Sequence, residues 1–219
     1  MISAASADVL TSAGVLALLA LLPFVVVVAT SFAKVAVVLG IVRSAFGAPG
    51  VPPASVVTGL AVVITFFVMA PVAQDIMERT TVPAASDAEK GDDRRMFADA
   101  LAVYDAASPP LLDFLRANTT REEINHYQKL AREDAKQPAG ARVLLMAFAS
   151  SEFVEAVTVG FLVLLPFVLI DLLVAHVLLA AGLMNLPAAV VALPLKLLLF
   201  IAADGWRLIT DALVMSYRV

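Results

Sequence analysis

At 219 residues the chain carries 61% apolar and only 16% charged side chains, against roughly 45–50% and 25% in water-soluble domains; with a mean hydropathy of +0.93, an ordinary soluble globule is excluded. A net charge of −4 with one Trp and three Tyr offers neither the positive field nor the stacking surface that nucleic acid requires. The lack of cysteine removes disulfides, thiolate zinc sites and thiol catalysis together.

In chain order, Met1 to Thr11 contains no Lys or Arg and one acid, Asp8, so it lacks the basic start of a secretory signal peptide. The first apolar segment is therefore expected to belong to the working protein. That block runs from about Ala13 to Val42 and is broken by Lys34. A turn-rich break follows, Arg43-Ser44-Ala45-Phe46-Gly47-Ala48-Pro49-Gly50, and Pro52-Pro53 suits the first turn of a second helix, where a missing N–H costs nothing. The second block, Val56 to Ala73, is uncharged. Residues 74–142 differ in kind and hold 10 of the 15 basic and 13 of the 19 acidic residues. Within them Met96, Phe97, Ala100, Leu101 and Tyr104 recur at a helical period. Ser108-Pro109-Pro110 is expected to restart a helix carrying Leu111, Leu112, Phe114 and Leu115. Thr120-Arg121-Glu122-Glu123 has the capping-box pattern that opens another, and Gln137-Pro138-Ala139-Gly140 closes the region.

The third block, Val157 to Ala181, is interrupted by Asp171 and His176. Only Gly182-Leu183-Met184-Asn185 separates it from the fourth, Leu186 to Ala203, which contains Lys196. So short a link predicts an antiparallel helical hairpin. A membrane span takes about 20 apolar residues; blocks one and three reach that length, while two and four are marginal. The fold class that follows is all-α, with membrane-type hairpins in 1–73 and 143–219 and a small charged helical domain inserted at 74–142.

No phosphate loop, nucleophile elbow or His-Glu-x-x-His zinc motif is present, and His126 and His176 lie in different regions. The reading is of a protein that is not an enzyme and needs no cofactor or metal. The informative residues are the charges in or beside apolar helices: Lys34, Glu152, Asp171, Lys196 and Asp204. A charge facing lipid at a helix centre costs about 2.5–3.5 kcal/mol, so these should face protein or water, chiefly as ion pairs between helices. A proton relay or a wet lumen are the other readings. Asp171 and Lys196, on consecutive helices of one hairpin, are expected to pair, within a subunit or between subunits. His176 is read as an interhelical hydrogen-bonding residue. Pro23, Pro71, Pro166, Pro187 and Pro194, in or beside the apolar helices, point to a kinked, tightly packed bundle.

Several strings resemble a known family in the right order along nearly the whole chain: Thr30-Ser31-Phe32-Ala33-Lys34 with Val37 to Arg43; Pro52-Pro53, Gly59-Leu60-Ala61 and Thr65 to Pro71; Ser151-Glu152-Phe153, Gly160-Phe161, Pro166-Phe167 and Ile170-Asp171-Leu172; and Leu193 to Phe200 with Asp204-Gly205-Trp206. The chain is similar to the FliP/YscR (SctR) family, core export-gate subunits of flagellar and injectisome type III secretion systems. The strings look closer to the injectisome branch; a flagellar gate subunit is the neighbouring alternative, and a small-solute or proton-coupled transporter or a poreless scaffold the readings from other classes.

The resemblance implies a homo-oligomer of five copies that joins FliQ/YscS-like and FliR/YscT-like subunits and an FlhB/YscU-like switch protein. Together they form a pseudo-helical ring that passes unfolded secreted proteins. It also implies residence at the bacterial inner membrane, with much of the assembly on the periplasmic side. The family's methionine-rich closing turn matches Leu183-Met184-Asn185 here, which keeps only Met184. Its Ser-Glu-Leu-Lys pattern reads Ser151-Glu152-Phe153-Val154, so Glu152 lacks the neighbouring lysine and needs another partner.

Overall fold

The computed structural model describes residues 20, 24, 27–48, 50–79, 93–134 and 137–218, with 93–103 through their backbone only. The chain start, most of the first apolar block before Val27 and the side chains of the Met96-to-Leu101 stripe lie outside the described residues. The described residues form seven named helices and no strand: α1 Phe32–Ala45, α2 Ala54–Arg79, α3 Asp93–Ala117, α4 Arg121–Leu130, α5 Ala141–Ala180, α6 Ala188–Ala202 and α7 Gly205–Met215.

Two of these, α2 at 26 residues and α5 at 40, are long and apolar enough to cross a membrane. A third candidate is the pair α6 and α7, bent by 60° at a short break. The second apolar block lies within α2, which runs on through Arg79. At 1.5 Å per residue α5 is about 60 Å long, twice the roughly 30 Å of a bilayer core.

The described residues divide into two compact units, one within 69–148 and one of residues 31–68 with 149–218. In the first, Val72, Phe114, Leu115, Val143, Leu144, Ala147 and Phe148 are buried, and the rings of Phe114 and Phe148 meet at 5.7 Å. Helix α3 does not restart at Pro109-Pro110 but continues through both prolines. Their fixed φ is a helical one, so what is lost is the hydrogen bond each missing N–H would have donated. At α4 the amide of Glu123 donates to Thr120 Oγ1 at 3.3 Å, one half of the capping box.

In the second unit α1 buries Lys34, Val35, Val38, Leu39, Val42 and Ala45, a face at helical spacing. Gly160 of α5 lies against the Ile41 side chain, where an added Cβ would collide, so glycine permits this close approach. The rings of Phe46, Phe167 and Phe200 cluster at 5.3–6.5 Å. Helices α5 and α6 form the antiparallel hairpin the short link predicts: Phe167 meets Phe200 and Asp171 meets Lys196, pairs symmetric about the Leu183–Met184 bond. The sharp bend between α6 and α7 falls at no proline. It sits at Asp204, whose backbone is left-handed with φ 48°, a conformation that Asp tolerates better than most residues.

Candidate functional site

Both lysines of the apolar helices lie in the second unit, one at each end of α1. Lys34, 1% exposed, stands in the first turn of α1. A cation there opposes the helix dipole, and two acids of α5 offset it. Its Nζ lies 3.1 Å from Glu152 Oε1 and 2.7 Å from Glu155 Oε2. It also donates to Ser216 Oγ at 3.2 Å and stands 4.3 Å over the Tyr217 ring. The Tyr217 hydroxyl donates to Glu152 Oε2 and, at 3.4 Å, to the Ser31 carbonyl. Burial, and after it the Glu152 carboxylate, push the Tyr217 phenol well above its ordinary range; it therefore stays protonated and keeps donating. Glu152, 2% exposed, finds its partner on another helix rather than in its own next turn.

Lys196, 2% exposed, serves the other end of α1. It donates to the carbonyl of Ala45, the last residue of α1, at 2.8 Å, and pairs with Asp171 Oδ2 at 2.7 Å. A cation on those last carbonyls satisfies a group the helix cannot and suits its dipole. Each cluster thus ties three segments: α1, α5 and the 216–217 tail at one end; α1, α5 and α6 at the other. Ser31 Oγ and Asp171 Oδ1 are buried there without a hydrogen-bond partner.

Other predicted site residues lie elsewhere. Asp204 is exposed and in no ion pair among the described residues, because the left-handed bend turns it outward. His176 bonds not between helices but within its own: Nδ1–H donates to the Leu172 carbonyl one turn back, at 2.7 Å. Leu183 and Met184 are 47% and 75% exposed, and Asn185 is exposed, at the tip of the α5–α6 hairpin. Gly182, at φ 73°, closes α5 with the amides of Gly182 and Leu183 donating to Leu179 and Leu178 carbonyls. This is the two-bond stop that glycine allows.

Glu155, Ser216 and Tyr217 were not expected in the site. Glu155 follows Glu152 by one turn, a readable signal; Tyr217 is 65 positions from its acid, and no local pattern announces it. Among the described residues no group of three or more His, Asp or Glu is placed to hold a metal ion.

An all-helical fold with long apolar helices and internally paired charges defines a membrane protein of several helices. The chain belongs to the FliP family, whose model matches residues 15–213. It is similar to the hypersensitivity response secretion protein HrcR of Ralstonia nicotianae, 37% identical over 207 residues, 91% of this chain and 93% of the relative. It also resembles the Yop proteins translocation protein R of Yersinia pestis, 36% identical over 213 residues, 93% of this chain and 94% of the relative. To the flagellar biosynthetic protein FliP of Pectobacterium carotovorum it is 35% identical over 202 residues, 91% of this chain and 75% of that protein.

Proposed function

We propose that the protein is a core subunit of a type III secretion export apparatus, a structural component of the gate for unfolded proteins. The observation that carries this is membership of the FliP family over residues 15–213, with relatives named for secretion and translocation. Those relatives stand at 36–37% identity, a pathogenicity-related protein at 39%, and the flagellar ones at 34–35%, which favours an injectisome over a flagellum.

In this reading five copies join FliQ/YscS-like and FliR/YscT-like subunits in a pseudo-helical ring, with an FlhB/YscU-like protein alongside. The complex stands at the inner membrane with much of its height on the periplasmic side. Repeated copies bring the hairpin tips together around an axis. Leu183 and Met184 then form an apolar constriction that excludes water and ions at rest, the flexible thioether suiting a seal that must stretch. Asn185 adds no apolar surface to it.

Native mass spectrometry of the protein coexpressed with its two sister subunits tests the assembly. A ring containing all three is expected, and a monomer that takes up neither partner would overturn the reading. The gate is tested in the same cells: Met184→Ala should leave assembly intact and admit ions, whereas an assembled, ion-tight Leu183→Ala/Met184→Ala variant would exclude this turn as the seal.

A further inference from the structure

The unit within 69–148 holds a half-open cavity of about 540 Å³, bordered by the end of α3, by α4, by residues 137–139 and by the start of α5. Its size falls among those of small-ligand sites, roughly 300–1,000 Å³. The wall is built in advance. Gln128, 3% exposed, donates through Nε2 to the Gln137 carbonyl at 3.0 Å. Glu133 accepts from the Gly140 amide at 3.3 Å and from Arg142 Nε at 3.1 Å. The segment 137–140 is thus pinned at both ends, and a ligand meets it already ordered. Thr119, also on the wall, spends its hydroxyl proton on the Leu115 carbonyl at 2.6 Å. Ile124, Pro138, Ala139 and Leu144 make the rest of the lining apolar.

The charge of the cavity has one sign. Arg116 and Arg121, both exposed, line it, and none of its lining residues is acidic. Glu122 and Glu123 follow Arg121 in the chain but do not line it. Arg116 meets Asp113 at 3.4 Å through Nη1 alone, an exposed pair too weak to hold it against an incoming anion. Inorganic phosphate would satisfy the guanidinium groups and leave the apolar lining wet. An uncharged apolar molecule would do the reverse. A carboxylate on an apolar body satisfies both, since the planar guanidinium fork matches two carboxylate oxygens. We propose that this cavity binds a small monocarboxylate with a compact apolar body, its head held by Arg116 and Arg121 and its body against Ile124, Ala139 and Leu144. The site is independent of the export-gate reading, since neither sister subunits nor secretion enters its test.

The test uses the full chain in an uncharged detergent. The probe is para-trifluoromethyl-phenylacetate, with the corresponding amide as its uncharged twin, and binding is read by fluorine NMR against empty micelles. Saturable binding of the acid, roughly tenfold tighter than that of the amide, is expected. Arg121→Gln should weaken the acid by a similar factor and leave the amide unchanged. Ala139→Leu, which fills the cavity from a half-buried position, should abolish binding of both. Helical content and unfolding midpoint are compared with wild type for each variant. Should Ala139→Leu fail to fold, Arg121→Gln, at an exposed side chain, decides alone. Partition into detergent only, equal binding of acid and amide, or acid binding undiminished in either folded variant would overturn the proposal.

Discussion

The two units handle charge in opposite ways. Among the described residues of 69–148 the ion pairs reach the surface and join near neighbours: Arg116 with Asp113 three residues away, and Arg142, 74% exposed, with Glu133 nine residues away. In the unit of 31–68 and 149–218 the lysines are buried and reach far along the sequence, Lys34 to Glu152 and Lys196 to Asp171 and the Ala45 carbonyl. Exposed pairs in water are worth about 0–1 kcal/mol. A buried pair adds little net stability against an apolar replacement, yet breaking one costs about 3–5 kcal/mol, because the survivor is left charged and dry. The charges of the first unit therefore solvate it, as does the exposed Arg207–Asp211 pair of the second, whose two buried lysines specify which helices meet.

The largest effect should come from Lys34→Met. It leaves Glu152 buried without a cation, and a loss of about 3–5 kcal/mol is expected, seen as a sharply lower unfolding midpoint in detergent. A wild-type midpoint would erase the contrast between the units. Next is Gly160→Ala. Ile41 could swing its Cδ1 aside, but its Cβ, 3.2 Å from the new methyl, moves only with the backbone, and its Cγ1, also at 3.2 Å, only by a χ1 change that a β-branched residue in a helix resists. Overpacking of about 1–3 kcal/mol exceeds the roughly 1 kcal/mol that Ala adds to helix propensity. A net loss near 1 kcal/mol, with weaker α1–α5 cysteine cross-linking, should follow; a stabilised variant would mean this approach is looser than described. The smallest effect, in the polar unit, is Thr120→Ala. Loss of the cap on α4 should cost about 1 kcal/mol, read as faster amide exchange in the first turn of α4 while the exchange of α1 stays unchanged.

Much of this architecture is legible in the sequence because lipid-type helices leave few alternatives. Blocks of apolar residues, a four-residue link and a Thr-x-x-Glu pattern lead to α2, the α5–α6 hairpin and the α4 cap. The Asp171–Lys196 contact follows from hairpin symmetry. What is hidden depends on distance along the chain or on backbone detail. Pro109-Pro110 reads as a break because proline is a poor interior residue, yet its φ fits a helix already under way. His176 has an acceptor one turn back on its own helix, which an expectation of interhelical bonding overlooks. Asp204 reads as another buried charge until its left-handed backbone turns it outward. The partnership of Tyr217 with Glu152 spans helices that no local period links.

The most direct test of the claim that buried charges join the helices is a double-mutant cycle on the second cluster. Asp171→Asn leaves Lys196, 2% exposed, with no counter-charge; Lys196→Met removes the cation from the end of α1; the double variant removes both charges. Yield of folded subunit, and of complex where the sister subunits are present, is measured for all four proteins. Each single change is expected to lower the yield severalfold, and the double variant should recover well above Asp171→Asn, since the stranded cation is gone. Normal yield in both single variants, or a double variant worse than either by the product of their losses, would contradict the account.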